Sequence, residues 1–263
     1  MRSILPLAAI LVLGCADDDG HPPVQACSGL ECHGPPILGY GASTANPDGD
    51  SEGGAPGAAQ PPVFSVARFE SDDFLATTAF AEPATVLADG EGGTTVEAAW
   101  NGLDPFAIAG LADTPFVLVE PEGSSSDALP TLLVPSLVSP VELPVVRATV
   151  MESILALSSV PLDLDGETAQ LVLKLIDVNA RQPISGAVLA EPSAETVLYA
   201  ASGGWSDTAG ETDATGLAVL ASVPASAWPG RLISVAVSGT ASGAIPLRVV
   251  AGAVTVLYVG IEL

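Results

Sequence analysis

Short apolar runs separated by turn residues fill residues 62–142. Val63–Phe69 mixes apolar and polar positions, and a second run, residues 94–100, follows a glycine-rich turn. Residues 116–119 form a further run of strand-forming side chains. Strands of this length and spacing are typical of a small antiparallel β-sandwich. We therefore predict a β-sandwich-like domain in this segment.

The apolar period changes in residues 143–160. Val146, Val150 and Ile154 recur every four residues, and Leu157 continues the same stripe. Residues three and four apart share one face of a helix, so this spacing predicts a single helix. A membrane-surface helix would carry a basic polar face, which this segment lacks. We expect the helix to connect two domains.

Alternation is most regular in residues 161–263. Leu171, Leu173 and Leu175 should face one side of a strand. Lys174 falls on the opposite side, and we expect it to be a solvated lysine on an outer face. This segment is predicted to be a second antiparallel β-sandwich.

The carboxyl terminus is apolar but is interrupted by Pro246 and Arg248. It is therefore predicted to form two strands, residues 245–250 and Val254–Ile261, rather than a membrane anchor. The fold class expected for the whole chain is mainly β, with one connecting helix.

Residues 1–14 have the layout of a secretory signal, in which a positive charge precedes a short apolar run. Residues 12–15, Val-Leu-Gly-Cys, resemble the signal motif of bacterial lipoproteins. That resemblance implies cleavage before Cys15, lipidation of its sulfur and anchoring to a membrane. Ala16 follows the cysteine in place of Asp, which in such lipoproteins favours the outer membrane.

Residues 15–61 are rich in Pro, Gly and Asp and have no lasting apolar period. Such a segment buries too little apolar surface to offset its ordering entropy, so we predict a disordered tether. With Cys15 set aside, Cys27 and Cys32 form an even pair, as expected of an exported chain, and we predict a disulfide. A haem attachment motif is disfavoured, because four residues rather than two separate the cysteines. A metal site that adds the tether histidines is a further alternative.

Three landmarks mark the carboxyl-terminal half: an Asp-led turn at Asp177, a Pro-Ile-Ser-Gly step at residues 183–186 and a Thr-Asp-Ala-Thr-Gly turn at residues 212–216. They resemble the carboxypeptidase regulatory-like, transthyretin-like family of β-sandwich domains. The resemblance covers residues 166–263. It implies an accessory or adhesive module, and it implies no particular chemistry.

The composition and net charge of the chain limit the kinds of core and partner that we expect. Apolar residues make up 48% and aromatic residues 5% of the 263 residues, so the core must consist mainly of aliphatic side chains. The formal net charge is −24, from 31 acidic and 7 basic residues. Such a surface repels phosphate backbones, so we expect no nucleic-acid partner.

The predicted domains contain neither histidine nor cysteine, because His21, His33 and every cysteine precede residue 34. This excludes Ser-His-Asp triads, Cys-His dyads and His-ligated zinc from them. Residues 163–167 resemble a fragment of a calcium loop, but the distant bidentate glutamate is missing and we interpret them as a turn. No catalytic residue, metal site or cofactor is predicted.

The three tryptophans and Lys174 are further candidates for special roles. Trp100, Trp205 and Trp228 are interpreted as core or turn residues rather than sugar-stacking platforms. Some collagen-adhesin B-type domains cross-link a first-strand lysine to a last-strand asparagine. For Lys174 this is disfavoured, because residues 254–262 contain no Asn or Asp.

These patterns favour a non-enzymatic, lipid-anchored protein of the cell envelope. Its β-sandwich domains would bind or scaffold an envelope protein or polysaccharide. The alternatives are an exported hydrolase that uses carboxylates and a metal or redox role for Cys27 and Cys32.

Overall fold

The computed structural model describes residues 30–33, 61–123, 127–137, 139–158, 160–162, 166–202 and 204–263, and for residues 30–33 only the backbone. The predicted signal peptide, Cys15 and Cys27 lie outside the described residues. In the part of the chain that is described, no helix has the length and apolar character needed to cross a membrane.

The strands before the helix are β1 (Leu30–His33), β2 (Val63–Phe69), β3 (Thr77–Ala79), β4 (Ala84–Asp89), β5 (Thr95–Trp100), β6 (Phe106–Ala107), β7 (Val117–Pro121), β8 (Ala128–Leu129), β9 (Thr131–Leu133) and β10 (Val141–Arg147). Helix α1 (Ala148–Leu155) follows, and a 3-10 turn (Glu91–Gly93) precedes β5. The later strands are β11 (Thr168–Asp177), β12 (Gln182–Pro183), β13 (Ala187–Ala190), β14 (Thr196–Ala201), β15 (Gly204–Ser206), β16 (Leu217–Pro224), β17 (Arg231–Gly239), β18 (Gly243–Val249) and β19 (Val254–Ile261).

One long sheet runs through the molecule in the order β15-β14-β16-β11-β19-β9-β7-β4-β5. The strands before and after α1 meet where β19 pairs with β9 in parallel, Val254 opposite Thr131 and Thr255 opposite Leu132. The two halves of the chain therefore share one sheet. The domain boundaries given by the sequence analysis stay predictions.

Two smaller sheets cover this long sheet on opposite faces. The sheet β3-β2-β10-β8 and helix α1 share a core with one face, to which Val86, Val172 and Val256 belong. The sheet β13-β17-β18 packs on the other face through a second core, which includes Leu173 and Leu257. The result is three layers over the second half of the long sheet.

The mainly β prediction is confirmed, and several strands lie where the sequence places them. Val63–Phe69 and Val254–Ile261 match the predicted bounds, and Thr95–Trp100 differs by one residue. Three of the described strand pairs are parallel, β2–β10, β11–β19 and β9–β19, whereas the pattern predicts antiparallel pairs. Parallel partners come from distant parts of the chain, which local periodicity does not report.

The predicted helix exists, but its predicted start is wrong. Residues 143–147 belong to β10, which pairs in parallel with β2, and helix α1 begins at Ala148. Val145 and Val146 are β-branched and fully buried, which suits a strand between two covered faces. Leu157, the predicted end of the apolar stripe, lies beyond α1 and is 54% exposed.

The prediction of a disordered tether is also wrong for part of its length. Leu30–His33 forms strand β1, which pairs antiparallel with residues 258–261 of β19. Strand β9 pairs only with Val254 and Thr255 on that edge of β19. The backbone groups of a buried strand need partners, and β1 supplies them beyond the end of β9.

Candidate interaction surfaces

The predicted site residues lie in the amino-terminal segment. The backbone of Cys32 is in β1, opposite Val259. Its side chain and all of Cys15 and Cys27 lie outside the described residues. The lipidation of Cys15 and the Cys27–Cys32 disulfide therefore stay predictions.

The outward side of the sheet β13-β17-β18 is the first exposed surface of interest. Along β17 the side chains of Ile233, Val235 and Val237 are buried in the core, so the alternate positions face solvent. The outward residues of the three strands are Arg248, opposite Leu232 at one end, and an uncharged group that we call the neutral face: Val188, Ala190, Leu232, Ser234, Ala236, Ser238, Ala244 and Pro246. No carboxylate is among them, although the chain carries a net charge of −24.

Strand register makes the neutral face continuous. Ala236 lies opposite Ala244 on β18 and opposite Ala190 on β13. Ser234 lies opposite Pro246. Neighbouring strands lie about 4.8 Å apart, so these small side chains form one flat patch. Leu232, which is 71% exposed, stands out from it at one end.

Arg248, the residue opposite Leu232 on β18, lies at that end of the outward sheet surface. The guanidinium Nη1 of Arg248 donates a hydrogen bond to Oδ1 of Asp89 at 2.6 Å. The same guanidinium lies 4.5 Å from the ring centroid of Phe116 and 5.8 Å from that of Trp228. The positive charge of Arg248 offsets the negative charge of the Asp89 carboxylate. Arg231, at the start of β17, is exposed but has the alternation of the buried Ile233, so it belongs to the other side of the sheet.

A second exposed surface is formed by the outward residues of β4, β5 and β7 and is strongly acidic. This acidic face contains Thr85, Leu87, Thr95, Glu97, Ala99 and Glu120, and Glu122 continues it just beyond β7. The pKa of Glu120 is raised above its usual value, mainly by burial and also by the charge of Glu97. The two exposed sheet surfaces therefore differ sharply in charge.

Lys174 is not the solvated lysine predicted from the alternation. It is the chain's single lysine and is 7% exposed. Its Nζ lies 5.9 Å from the ring centroid of Tyr258, the residue opposite it on β19. Burial lowers the pKa of Lys174, and the charge of Asp73 partly opposes that shift. The prediction is wrong because the loop before β3 and the sheet beside it cover this face.

The tryptophans lie in the core or in turns, as predicted. Trp100 and Trp205 are buried, and their Nε1 atoms donate to the carbonyl of Phe80 at 3.2 Å and to Asp72 at 2.9 Å. Trp228 donates to Thr95 Oγ1 at 3.1 Å beside Arg248. Within the described residues, no group of three or more His, Cys, Asp or Glu side chains is placed to hold a metal ion.

A comparison of the sequence with protein-family models finds no match. A comparison with curated proteins finds no match either. Among solved structures, the chain is similar to a streptococcal ancillary pilin, at 10% identity and a TM-score of 0.23, over 76% of this chain and 67% of the pilin. It is also similar to a variant of the shaft pilin spaA from Lactobacillus rhamnosus GG, at 8% identity and a TM-score of 0.22, over 78% and 98% of the two chains. At these TM-scores the likeness supports no conclusion about function.

Proposed function

We propose that this chain is a non-enzymatic, lipid-anchored protein of the cell envelope that binds or scaffolds another envelope component through the neutral face. The observation that carries the proposal is an exposed sheet surface without carboxylates on a chain of net charge −24. Soluble proteins rarely expose a continuous apolar patch of more than a few hundred Å² unless something binds there.

The charge of the remaining surface supports this assignment. The carboxylates of the acidic face repel other acidic surfaces and keep the chain soluble. A contact through the neutral face avoids that repulsion and buries Leu232 and Pro246, which are exposed in the free chain. The carboxypeptidase regulatory-like resemblance of residues 166–263 belongs to the same proposal, because such domains serve as accessory and adhesive modules.

The proposed lipid anchor limits how far the folded part of the chain lies from the membrane. In the proposal Cys15 carries the lipid, and β1 begins fifteen residues later at Leu30. A chain spans at most about 3.5 Å per residue, so the strand sheet would lie within roughly 50 Å of the lipid. A tether that ran free to residue 61 would reach about three times as far. With a lipid on Cys15, pairing of β1 with β19 would keep this edge of the long sheet closer to the membrane than a free tether would.

The anchor is tested by cell fractionation. We expect the natural chain in the outer-membrane fraction with a mass that includes lipid on Cys15, and the Cys15→Ala chain in the soluble fraction. A Cys15→Ala chain that still fractionates with membranes would contradict the anchor.

The binding surface is tested by affinity capture. A tagged Cys15→Ala chain is incubated with envelope extract from cells that make the untagged chain. A carboxylate is placed on the neutral face by Ala236→Glu and, as a matched control, on the acidic face by Ala99→Glu; both alanines are exposed strand residues. We expect capture by the parent and by Ala99→Glu, and at least a tenfold loss with Ala236→Glu. Equal capture by both variants would remove the neutral face from the proposal.

A further inference from the structure

We infer that the free edge of β5 binds an extended segment of another polypeptide, whose side chains alternate between basic and apolar, and adds it to the long sheet as a further antiparallel strand. This edge belongs to a different sheet from the neutral face and does not depend on the lipid on Cys15, so its role goes beyond the proposed function.

The backbone groups of β5 are unpaired along one edge. Among the described strands, β5 pairs only with β4 and ends the long sheet. At the start of this hairpin, the N–H of Gly90 donates to the carbonyl of Thr94 at 2.8 Å. Because alternate residues of an antiparallel pair bond to the partner strand, the even-numbered residues of β5 bond to β4. The N–H and C=O groups of Thr95, Glu97 and Ala99 therefore point away from the sheet, and no described group is hydrogen bonded to them.

The other sheet edges are capped, interrupted or short. On β13, the outward N–H of Ala187 donates to Thr212 Oγ1 at 3.0 Å. The next outward N–H, of Leu189, donates to the hydroxyl of Tyr199 at 2.9 Å. On β18, Pro246 has no N–H to offer. Strands β3, β8 and β15 have three residues or fewer. Among the described strands that end the three sheets, β5 therefore offers the longest open row of donors and acceptors.

The side chains of β5 give the two sides of this edge opposite character. Thr95, Glu97 and Ala99 are exposed on the acidic face. Val96 and Ala98 lie on the other side, where they are half-buried against the core. A strand added at this edge would therefore meet negative charge on one side and cover apolar side chains on the other.

These two sides define the chemistry of the added strand. In antiparallel pairing, which is slightly more stable per residue than parallel pairing, directly opposite residues place their side chains on the same face about 5 Å apart. The residue opposite Glu97 would therefore be basic, and its neighbours along the strand would be apolar and would cover Val96 and Ala98. Burial and the charge of Glu97 raise the pKa of Glu120, so a cation on this face would relieve existing repulsion.

The chain itself does not supply such a strand. Its 7 basic residues are so widely spaced that no stretch as long as β5 contains two of them. Pairing of two β5 strands would bring two copies of Glu97 to one edge, against a net charge of −24 on each chain. Charge on an edge strand opposes pairing with a like-charged strand and attracts one of opposite charge. The occupant is therefore a different polypeptide.

The test uses a synthetic peptide with blocked ends, Val-Lys-Val-Lys-Val-Lys-Val, and the full chain carrying Cys15→Ala. Calorimetric titration covers roughly 1 µM to 1 mM peptide. The order Lys-Val-Val-Lys-Val-Val-Lys keeps the charge and loses the alternation. We expect the alternating peptide to bind at least about tenfold more tightly and to slow amide hydrogen exchange at residues 95, 97 and 99. Equal binding of the two peptides, or no binding, would overturn the inference.

Backbone pairing is tested by removing donors on either side of the peptide. N-methylation at its lysines removes the N–H groups that face β5, whereas N-methylation at its valines removes those that face away. We expect at least about tenfold weaker binding for the first peptide and little change for the second. Equal binding of the two methylated peptides would exclude strand addition.

A proline in β5 makes the same test from the side of the protein. Ala99→Pro removes one outward N–H, and proline is tolerated at a strand edge. We expect at least about tenfold weaker binding of the alternating peptide. Far-UV circular dichroism that matches the parent shows that the variant is folded. Unchanged binding to the folded variant would contradict pairing at this edge.

Charge reversal tests the role of Glu97. Glu97→Lys should weaken binding of the alternating peptide at least about tenfold. Glu211→Lys is the matched control, because Glu211 is exposed between β15 and β16, toward the other end of the long sheet, and the change in net charge is the same. It should bind within about twofold of the parent. Equal losses would mean that net charge alone attracts the peptide, and the inference would fall.

Ala236→Glu separates this edge from the neutral face. It should leave peptide binding unchanged while it reduces capture of the envelope component. If the peptide does not bind but capture still depends on Ala236, the proposed function stands and strand addition falls. If the peptide binds at β5 and capture is independent of Ala236, strand addition stands and the neutral face falls.

Discussion

The two faces of β11 are both buried, yet they differ in chemistry and in what covers them. On one side of β11, Leu171, Leu173 and Leu175 face the core beneath β13-β17-β18, which is mainly aliphatic. Thr168 and Lys174 face the layer formed by the first half of the chain. The apolar face is covered by strands that follow β11 in the chain, whereas the polar-containing face is covered by elements that precede it, including the loop around Asp73. Alternation along a strand therefore reports which residues share a face, and not what lies over that face.

Removing volume from the apolar face should have the largest effect. Leu173 is fully buried in the core beneath β13-β17-β18. We expect Leu173→Ala to lower the free energy of unfolding by about 2–5 kcal/mol, because it removes buried methyl groups and leaves a cavity. Urea unfolding followed by circular dichroism measures the loss. Leu103→Ala is the matched control, because Leu103 is 78% exposed and its truncation should change stability by less than about 0.5 kcal/mol. Equal losses at the two sites would contradict this packing.

On each face of the long sheet, one tyrosine hydroxyl forms hydrogen bonds to the layer that covers that face. On the apolar face, the hydroxyl of Tyr199 accepts from the backbone N–H of Leu189 at 2.9 Å and donates to its carbonyl at 3.3 Å. On the other face, the hydroxyl of Tyr258 donates to the carbonyl of Phe74. Each cover is thus tied by hydrogen bonds as well as by apolar contact.

Replacing each tyrosine with phenylalanine compares the contributions of the two sets of hydrogen bonds to stability. Tyr199→Phe leaves two backbone groups of Leu189 without the hydroxyl, and Tyr258→Phe leaves one of Phe74. We expect a loss of about 2–3 kcal/mol for the first and about 1–2 kcal/mol for the second, since each buried unpaired group costs about 1–3 kcal/mol. Urea unfolding of the two variants gives the ratio. A larger loss for Tyr258→Phe would reverse the comparison.

Periodicity along the chain predicted the local features of this fold. It located β2 and β19 to the residue and assigned Leu171, Leu173 and Leu175 to one face of β11. These features depend on side chains within one strand, so the sequence pattern contains them. The mainly β class follows from the same runs and from the branched aliphatic side chains that must supply the core.

Features that depend on distant partners were not predicted. Residues 143–147 carry a helical period, yet pairing with β2 holds them as a strand. Leu30–His33 lies in a Pro- and Gly-rich segment, and its strand exists through pairing with β19. The neutral face likewise needs β13, β17 and β18 side by side before its missing carboxylates become visible. Tertiary pairing overrides local preference in each case.

Replacing Lys174 tests how much stability its buried charge costs on the polar-containing face. Its pKa is lowered by burial, so the folded chain binds a proton on it less readily than the unfolded chain. Stability then rises with pH between the lowered pKa and the usual value of 10.5, and the charged lysine costs stability below that window. We expect Lys174→Met to raise the free energy of unfolding by about 1 kcal/mol at neutral pH. The pKa of Tyr258 is raised by burial and by Asp73, but both chains retain Tyr258, so its titration cancels to first order.

The gain from Lys174→Met should shrink as the pH rises toward 10.5, because the lysine then becomes neutral in both states. Urea unfolding of the parent and the variant between neutral and alkaline pH measures this trend. Arg231→Met, at an exposed position, is the control and should show little gain at any pH. A gain from Lys174→Met that stays constant with pH would mean that packing, rather than the buried charge, sets the cost.

The smallest effect compares two threonine hydroxyls inside the fold. Thr168 Oγ1 is buried without a hydrogen-bond partner. Thr131 Oγ1 donates to the carbonyl of Leu129 at 2.8 Å and accepts from the N–H of Val146 at 3.0 Å. Valine has the same branched shape and no hydroxyl, so it isolates the polar atom. Thr168→Val should gain up to about 1 kcal/mol, whereas Thr131→Val should lose about 1–2 kcal/mol because a buried N–H loses its acceptor. Thermal unfolding of both variants gives the two signs, and a loss at Thr168 would show that its hydroxyl has a partner, such as an ordered water, in solution.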